Sequence, residues 1–320
     1  MFRARANRTK ALFVSKLGLI KRPYSNYYQP LPRVPLLGPA LWSVAACSTI
    51  YLGCAAYDVY RDTQRARLER SRWPHYKQPQ DPTFEDLERL ADRRSTSTAS
   101  HYIGGTTADA ERLTVGVMSL AAGVHLATRA VPTLAGHFMH TPALSGNYSL
   151  LTSVFGHAGL LHLGFNMYGM LQLIPSAARC PTFRDNSAHL SAFYLSAGIL
   201  SSLASHATAV WPERSIYRPT LGASGALLAL FGIVGISYPD IQVGVLLIPG
   251  SFPIANVMAC VALFDAIGLF VRYPYISLAH SAHLSGLALG VVYARYCDNQ
   301  KIWRTSRKTA FRAMRSLGVI

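Results

Sequence analysis

The residues that could perform chemistry in this chain are a serine and several histidines inside long apolar runs. Ser224 stands in Gly222-Ala223-Ser224-Gly225, a small-residue setting typical of a nucleophilic serine, at the head of an apolar segment. A serine hydroxyl becomes nucleophilic when a histidine accepts its proton, and His283, in a later apolar run, is a suitable base. These two residues are 59 positions apart, so a helical bundle would have to bring them together.

A second polar group lies in TSVFGHAGLLHLGFNMYG, which contains His157, His162 and Asn166. His162 and Asn166 are four residues apart and therefore share one helix face. The oxyanion that forms when a carbonyl is attacked needs preorganised hydrogen-bond donors. We expect these donors to be the side chains of His162 and Asn166 and the Ser224 N–H, which is free at a helix start.

Small residues recur along the two helices expected to carry the serine and the histidine base. They are Gly225, Ala229 and Gly232 in the first helix and Gly286 and Gly290 in the second. Such faces allow two helix backbones to touch inside a membrane. The spacing therefore predicts that the two helices pack directly on each other.

The composition indicates a membrane protein. Half of the residues are hydrophobic and only 14% are charged, against about a quarter in soluble domains. Between Leu113 and Ala294 there are only six basic and four acidic residues. The net charge of +16 lies largely in the two tails, without a recognition helix or basic residues interleaved with aromatics, so nucleic acid is not predicted as a partner.

Seven segments are long and apolar enough to be membrane helices. They are residues 34–57, 113–128, 156–178, 190–210, 221–238, 253–271 and 273–294. The predicted fold is an all-α polytopic membrane protein. Its predicted parts are a basic N-terminal arm (1–33), an extra transmembrane helix (34–57), a soluble charged linker (58–112), a six-helix core (113–296) and a basic C-terminal tail (297–320).

The N-terminal arm has the composition of a mitochondrial transit peptide. Residues 1–33 hold eight Lys and Arg, and no acidic residue occurs before Asp58. Apolar residues are spread among these charges, which is typical of a basic amphipathic targeting helix. The alternative is a basic arm that binds anionic lipid beside the first span.

Together these motifs resemble the rhomboid intramembrane serine proteases, and the extra leading helix resembles their mitochondrial branch, the presenilin-associated rhomboid-like proteins. The resemblance covers residues 113–294, and the three motifs occur in family order. It implies a rhomboid-like six-helix core preceded by one extra transmembrane helix. It also implies that Ser224 is the nucleophile and His283 the base, and that His162, Asn166, Gly222 and His157 support the oxyanion.

Two positions depart from the family pattern. Thr128-Arg129 stands where relatives have a Trp-Arg pair in the first loop, and Leu228 stands where many carry a tyrosine that stacks on the histidine. Asp265 is the only carboxylate inside the predicted spans. It is interpreted as a buried structural hydrogen-bond acceptor rather than as the third member of a triad, so that a Ser–His dyad is expected and no acid orients His283.

The sequence therefore predicts a multi-pass serine endopeptidase of the mitochondrial inner membrane, acting on transmembrane protein substrates. No metal or cofactor is predicted, because the five cysteines are scattered and show no zinc spacing. One alternative is a noncatalytic rhomboid-like membrane scaffold. The other is a transporter or channel lined by His157, His162, His280 and His283, of which only the last two have usable ligand spacing.

Overall fold

The computed structural model describes residues 34–71, 81–101, 108–210, 215–246, 248–271, 278–297 and 299–320. All of them belong to one compact unit, Val34–Ile320. The predicted targeting segment, residues 1–33, lies outside the described residues.

The described chain is helical apart from one hairpin. Its elements are α1 (Leu37–Ser71), α2 (Phe84–His101), α3 (Ala108–Ala130), α4 (Ser149–Thr152), α5 (Leu160–Ala178), α6 (Ser187–Thr208), α7 (Ser224–Ser237), β1 (Gln242–Val245), β2 (Ile248–Pro253), α8 (Ile254–Gly268), α9 (His280–Arg295) and α10 (Asn299–Ser316). Two short 3-10 helices, Pro132–Phe138 and Ser153–Phe155, precede and follow α4. The predicted all-α architecture is confirmed.

Seven of these helices (α1, α3 and α5 to α9) lie where the sequence predicts seven membrane spans. By length and composition, Leu37–Glu69 of α1 and all of α3 are each sufficient to cross a membrane, and α7 and α8 are shorter apolar helices. For two of the helices that begin later than predicted, the backbone gives the reason. α5 begins at Leu160 because Gly159 is extended (φ −164°, ψ 173°), and α7 begins at Ser224 because Gly222 has a φ of +124°.

The connection between α7 and α8 contains the hairpin. β1 pairs with β2 in antiparallel register, with Gln242 opposite Pro253. Pro253 is the last residue of β2, where a missing N–H interrupts no further pairing. The hairpin turns the chain back so that α8 returns along the bundle.

Helix α1 is longer than the predicted first span. Its 35 residues rise about 52 Å at 1.5 Å per residue, whereas the hydrocarbon layer is about 30 Å thick. The helix continues without a break past residue 57, where a soluble linker was expected to begin, and its residues Asp58 and Asp62 are buried. The expectation of a solvated linker is therefore wrong for this part of the chain.

Asp58 and Asp62 are buried because Arg307 of α10 neutralises them. Arg307 Nη1 lies 2.6 Å from Asp58 Oδ2, and its Nη2 lies 3.0 Å from Asp62 Oδ2. Arg307 Nε lies 3.2 Å from Glu88 Oε1 of α2; burial raises the pKa of the Glu88 carboxyl, and Arg307 opposes that rise. Since Arg307 is only 2% exposed, the predicted basic tail is in fact a packed helix.

Apolar side chains surround this ion cluster and join α10 to α1, α2 and α6. The buried members are Ala55, Val59, Ala66, Phe84, Leu87, Ala188, Ala192, Trp303, Ala310 and Phe311. The Trp303 ring also stacks on His189 of α6, with ring centroids 4.7 Å apart. The charged groups therefore sit in a largely apolar environment, in which pairing is required.

α7 is the central helix of the bundle, and it packs against α9, α5 and α6. At the N-terminal end of α6, the Asn186 amide donates to Asp58 Oδ2 over 3.0 Å. Near the other end of α6, His206 Nε2 donates to the Pro35 carbonyl, just before α1, over 2.8 Å. α1 therefore runs antiparallel to α6, and the ion cluster lies at the opposite end of the bundle from the start of α7.

We predict that Arg307→Met lowers the free energy of unfolding by about 3–5 kcal/mol, because it leaves buried carboxylates without their countercharge. Lys308→Met is the matched control, since Lys308 is exposed on the same helix and should change stability by less than about 0.5 kcal/mol. The measurement is denaturant unfolding of both variants in the same detergent. Equal stabilities for the two variants would contradict the structural role of the ion cluster.

Candidate active site

Ser224 is the first residue of α7, and the backbone before it explains why the helix begins there. Gly222 has a φ of +124°, which L side chains rarely adopt, and its N–H donates to the Ser153 carbonyl over 2.9 Å. A Cβ at Gly222 would also lie only 2.8 Å from the His162 imidazole. Glycine at this position therefore makes the turn into α7 and lets His162 lie against it.

His283 reaches Ser224 from the first turn of α9. Its Nε2 lies 2.7 Å from Ser224 Oγ. This is hydrogen-bonding distance for a serine hydroxyl that donates to an unprotonated imidazole nitrogen. A base within such reach of a hydroxyl can remove its proton when the oxygen attacks a carbonyl.

Direct backbone contact between α7 and α9 sets this distance. Gly286 and Gly290 of α9 lie against the backbone of Gly225 and Ala229 in α7, where a Cβ on either glycine would overlap a carbonyl oxygen. The two small-residue faces predicted from the sequence therefore meet. A larger residue at either glycine would push α9, and His283 with it, away from Ser224.

Asp265 contacts the base, contrary to the expectation that no acid orients His283. Its Oδ1 lies 3.3 Å from His283 Nδ1 and 2.7 Å from His280 Nδ1. Asp265 projects from α8 and is 1% exposed. Sequence spacing could not reveal this contact because it depends on how α8 is rotated against α9.

His162 and Asn166 occupy successive turns of α5. The His162 ring lies against Gly222, next to the nucleophile turn. Asn166 Nδ2 donates to the His162 carbonyl over 2.8 Å, which uses one of its two N–H donors. Asn166 Oδ1 is buried and has no hydrogen-bond partner in the described part of the chain. The structure thus brings His162 close to Ser224, while Asn166 lies one turn further along with one donor left.

His157 lies just before α5 and supports the His162 ring instead of contacting Ser224 directly. The two imidazoles meet edge to face, with centroids 5.1 Å apart. The His157 backbone carbonyl lies 3.1 Å from His125 Nδ1, which can donate to it, and Arg129 Nη2 donates to the Ala158 carbonyl over 3.2 Å. Two side chains from α3 therefore hold the segment that carries His157.

The sequence did not single out His125, and it did not pair His280 with Asp265. His125 is a polar residue in an apolar span, the same signal that drew attention to His157, so it could have been found on that ground.

Thr128 and Arg129 stand where relatives have a Trp-Arg pair. Thr128 bonds only to backbone carbonyls of its own helix, whereas Arg129 donates to the Ala158 carbonyl. In the described residues, no group of three or more His, Cys, Asp or Glu side chains could hold a metal ion.

Comparison with known proteins gives a consistent set of relatives. Residues 145–299 match the Rhomboid domain family. The chain is 29% identical over 202 residues to the presenilin-associated rhomboid-like protein, mitochondrial, of Rattus norvegicus, covering 61% of this chain and 51% of that protein. It is also 29% identical over 155 residues to Rhomboid protein 1, mitochondrial, of Saccharomyces cerevisiae, covering 48% and 42% respectively. The chain spans about half the length of the curated relatives it matches.

We predict that Gly286→Ala destabilises the protein by about 1–3 kcal/mol, because its Cβ overlaps the Gly225 backbone and forces α9 away from α7. The rate at which Ser224 reacts with a fluorophosphonate probe should also fall in this variant, because the Ser224–His283 hydrogen bond is stretched. Gly164→Ala on α5 is the control, since a Cβ there meets no atom within 4 Å. The two measurements are thermal unfolding and probe labelling, and wild-type labelling of Gly286→Ala would rule out the spacing role.

Proposed function

Because this chain is a member of the rhomboid family, in its mitochondrial branch, we propose that it is an intramembrane serine endopeptidase. Its substrates are membrane proteins, cleaved in or near a transmembrane segment. The observation that carries the proposal is the 2.7 Å contact between Ser224 Oγ and His283 Nε2. That contact joins a candidate nucleophile and a candidate base across two closely packed helices.

The location of the protein is a mitochondrial membrane. Its relatives are named mitochondrial, and the structure contains helices that are long and apolar enough to cross a bilayer. The inner membrane is consistent with this branch of the family. The protein therefore works with a lipid bilayer around its bundle.

The proposed reaction follows from the order of the two groups. Ser224 Oγ attacks the carbonyl carbon of the scissile bond while its proton passes to His283 Nε2. A new C–O bond forms, and the carbonyl electron pair becomes the oxyanion. His283 then returns the proton to the amine nitrogen as the C–N bond breaks, which leaves an acyl-serine that water hydrolyses by the same steps.

Three donors are available to the oxyanion in this proposal. The Ser224 N–H belongs to the first turn of α7 and has no intrahelical acceptor. The His162 imidazole lies against the nucleophile turn at Gly222, and Asn166 has a second N–H beyond the one bonded to the His162 carbonyl. Donors held in place before the reaction stabilise the developing charge without having to reorganise.

The substrate must unwind locally before it can react. A carbonyl inside an intact transmembrane helix is already hydrogen-bonded, and its backbone is shielded by side chains. Segments that contain Gly, Ala, Ser or Pro lose less on unwinding and leave more room around the scissile carbonyl. We therefore expect cleavage at such residues.

We predict that Ser224→Ala and His283→Ala each abolish proteolysis, with a loss in kcat on the order of 10⁶-fold, as when either member of such a unit is removed. The double variant should be no worse than either single variant, because the two residues act together. Additive losses would speak against the dyad. Fluorophosphonate labelling of Ser224 in the purified wild type separates the protease from a noncatalytic scaffold and from a histidine-lined transporter, neither of which needs a reactive serine.

We predict that Asn166→Ala lowers kcat by roughly 10²–10³-fold, equivalent to about 2.7–4 kcal/mol, with a much smaller change in KM. The reason is that an oxyanion donor acts mainly as the tetrahedral intermediate forms. The measurement combines kcat and KM in liposomes with a melting curve. Gln172→Ala, an exposed position further along α5, is the control. Unchanged kcat in a stable Asn166→Ala protein would remove Asn166 from the site.

A further inference from the structure

Helix α8 buries one polar side chain against the bundle, that of Asp265. Of its fifteen residues only Ile254, at its start, and Asp265 are buried, whereas neighbours such as Leu263 are 63% exposed. The Asp265 carboxylate is directed at α9, where Oδ1 meets two imidazole nitrogens: Nδ1 of His280 at 2.7 Å and Nδ1 of His283 at 3.3 Å. A buried carboxylate between two histidines, one of them the proposed base, has a chemical consequence for that base.

The contact determines which nitrogen of His283 carries a proton. An ionised carboxylate only accepts hydrogen bonds, so each imidazole must present Nδ1–H to it. A neutral His283 with a proton on Nδ1 has its lone pair on Nε2. Nε2 is the atom 2.7 Å from Ser224 Oγ, so the tautomer selected by Asp265 is the one able to accept the serine proton.

The surroundings hold Asp265 and His280 in place. Gly268, one turn after Asp265, lets α8 approach so closely that a Cβ there would overlap the His280 ring. The Phe264 ring meets the same imidazole edge to face, with centroids 5.4 Å apart. The carboxylate is therefore confined between α8 and α9.

We propose that Asp265 is a positioning residue of this site: its Oδ1 selects the Nδ1–H tautomer of His283 and stabilises the imidazolium that forms there, and His280 competes for the same oxygen. This inference rests on the proposed function and deepens it. Asp265 acts through His283 and does not touch the substrate. The site is therefore closer to a triad with a shared acid than to the dyad expected from the sequence.

The two distances indicate when the interaction matters most. In the structure, Oδ1 lies nearer His280 Nδ1 (2.7 Å) than His283 Nδ1 (3.3 Å). Once His283 has taken the proton of Ser224, the donor and the acceptor of its hydrogen bond to Asp265 are both charged, which strengthens the bond. Asp265 therefore stabilises the state with a protonated base more than the resting state, which is the condition for lowering a barrier.

The groups around His283 decide how its activity depends on pH. The titratable groups that face it are Asp265 of α8, His280 of its own helix and His162 of α5. α7 presents the Ser224 hydroxyl, and α6 meets α9 through the Ser205 hydroxyl, bonded to Ser281. Among these groups Asp265 is the only acid.

The primary test is Asp265→Asn in the full-length protein in liposomes. We expect kcat to fall roughly 10²–10⁴-fold with little change in KM, as when the acid of a related constellation is replaced. The ascending limb of the kcat/KM profile should move to lower pH, because loss of the carboxylate removes stabilisation of the protonated base. A purely structural acid would lower the melting temperature and leave both the profile and the turnover per folded molecule unchanged, which would overturn the inference.

Substitution of His280 should shift the pH profile in the opposite direction. It also tests the role of Asp265 if the Asp265→Asn protein does not fold. His280→Ala leaves Oδ1 to His283 alone, so the ascending limb should move to higher pH. His280→Asn keeps a donor near the position of Nδ1 and should move the limb by less. Ser285→Ala, whose hydroxyl bonds only the Ala282 carbonyl of its own helix, is the control and should retain the wild-type profile.

The outcomes separate the two proposals. A wild-type protein that is neither labelled by fluorophosphonate nor able to cleave a membrane substrate would overturn the proposed function. A labelled and active wild type, with unshifted profiles in the Asp265 variant or in both His280 variants, would overturn only the role of Asp265. Shifts of the ascending limb of the kcat/KM profile to lower pH in Asp265→Asn and to higher pH in His280→Ala would support the role of Asp265.

Discussion

The contact between the backbones of α7 and α9 is the constraint on which the rest of the structure depends. Ser224 and His283 lie on different helices, and their 2.7 Å hydrogen bond tolerates little relative movement. Lipid provides no hydrophobic force to bring two helices together, so close packing of small residues has to do so. Gly286 against Gly225 allows an approach that side chains would prevent. The groups of the proposed site on α5 and α8 lie against this pair of helices: His162 against Gly222, and Asp265 against His280 and His283.

A second constraint is that polar groups in an apolar environment must be paired, and the molecule meets it in different ways at its two ends. At one end Arg307 neutralises Asp58 and Asp62 and ties α10 to α1, which stabilises the fold. At the other end the Asp265 carboxylate is shared by the imidazoles of His280 and His283. In the proposed reaction, this carboxylate stabilises the positive charge that forms on His283.

These two constraints bear on how the proposed hydrolysis is compatible with a membrane environment. Ser224 begins α7, so its N–H is available, and Gly222 gives the His162 ring room beside it. His157, His162, His283 and Asn166 lie near one another around the start of α7, so the proposed chemistry is confined to one end of the bundle.

The sequence by itself determined the seven apolar helices, because these follow from hydrophobic length. Residue type and motif also marked Ser224 and His283 as the expected nucleophile and base, which are roles that belong to the proposed function. Only the tertiary structure decided that Asp265 faces His283 and that Arg307 neutralises Asp58. The first pair is 18 residues apart and depends on the rotation of two helices about their axes. The second is 249 residues apart and depends on α10 folding back along α1, which no local pattern of charge can specify.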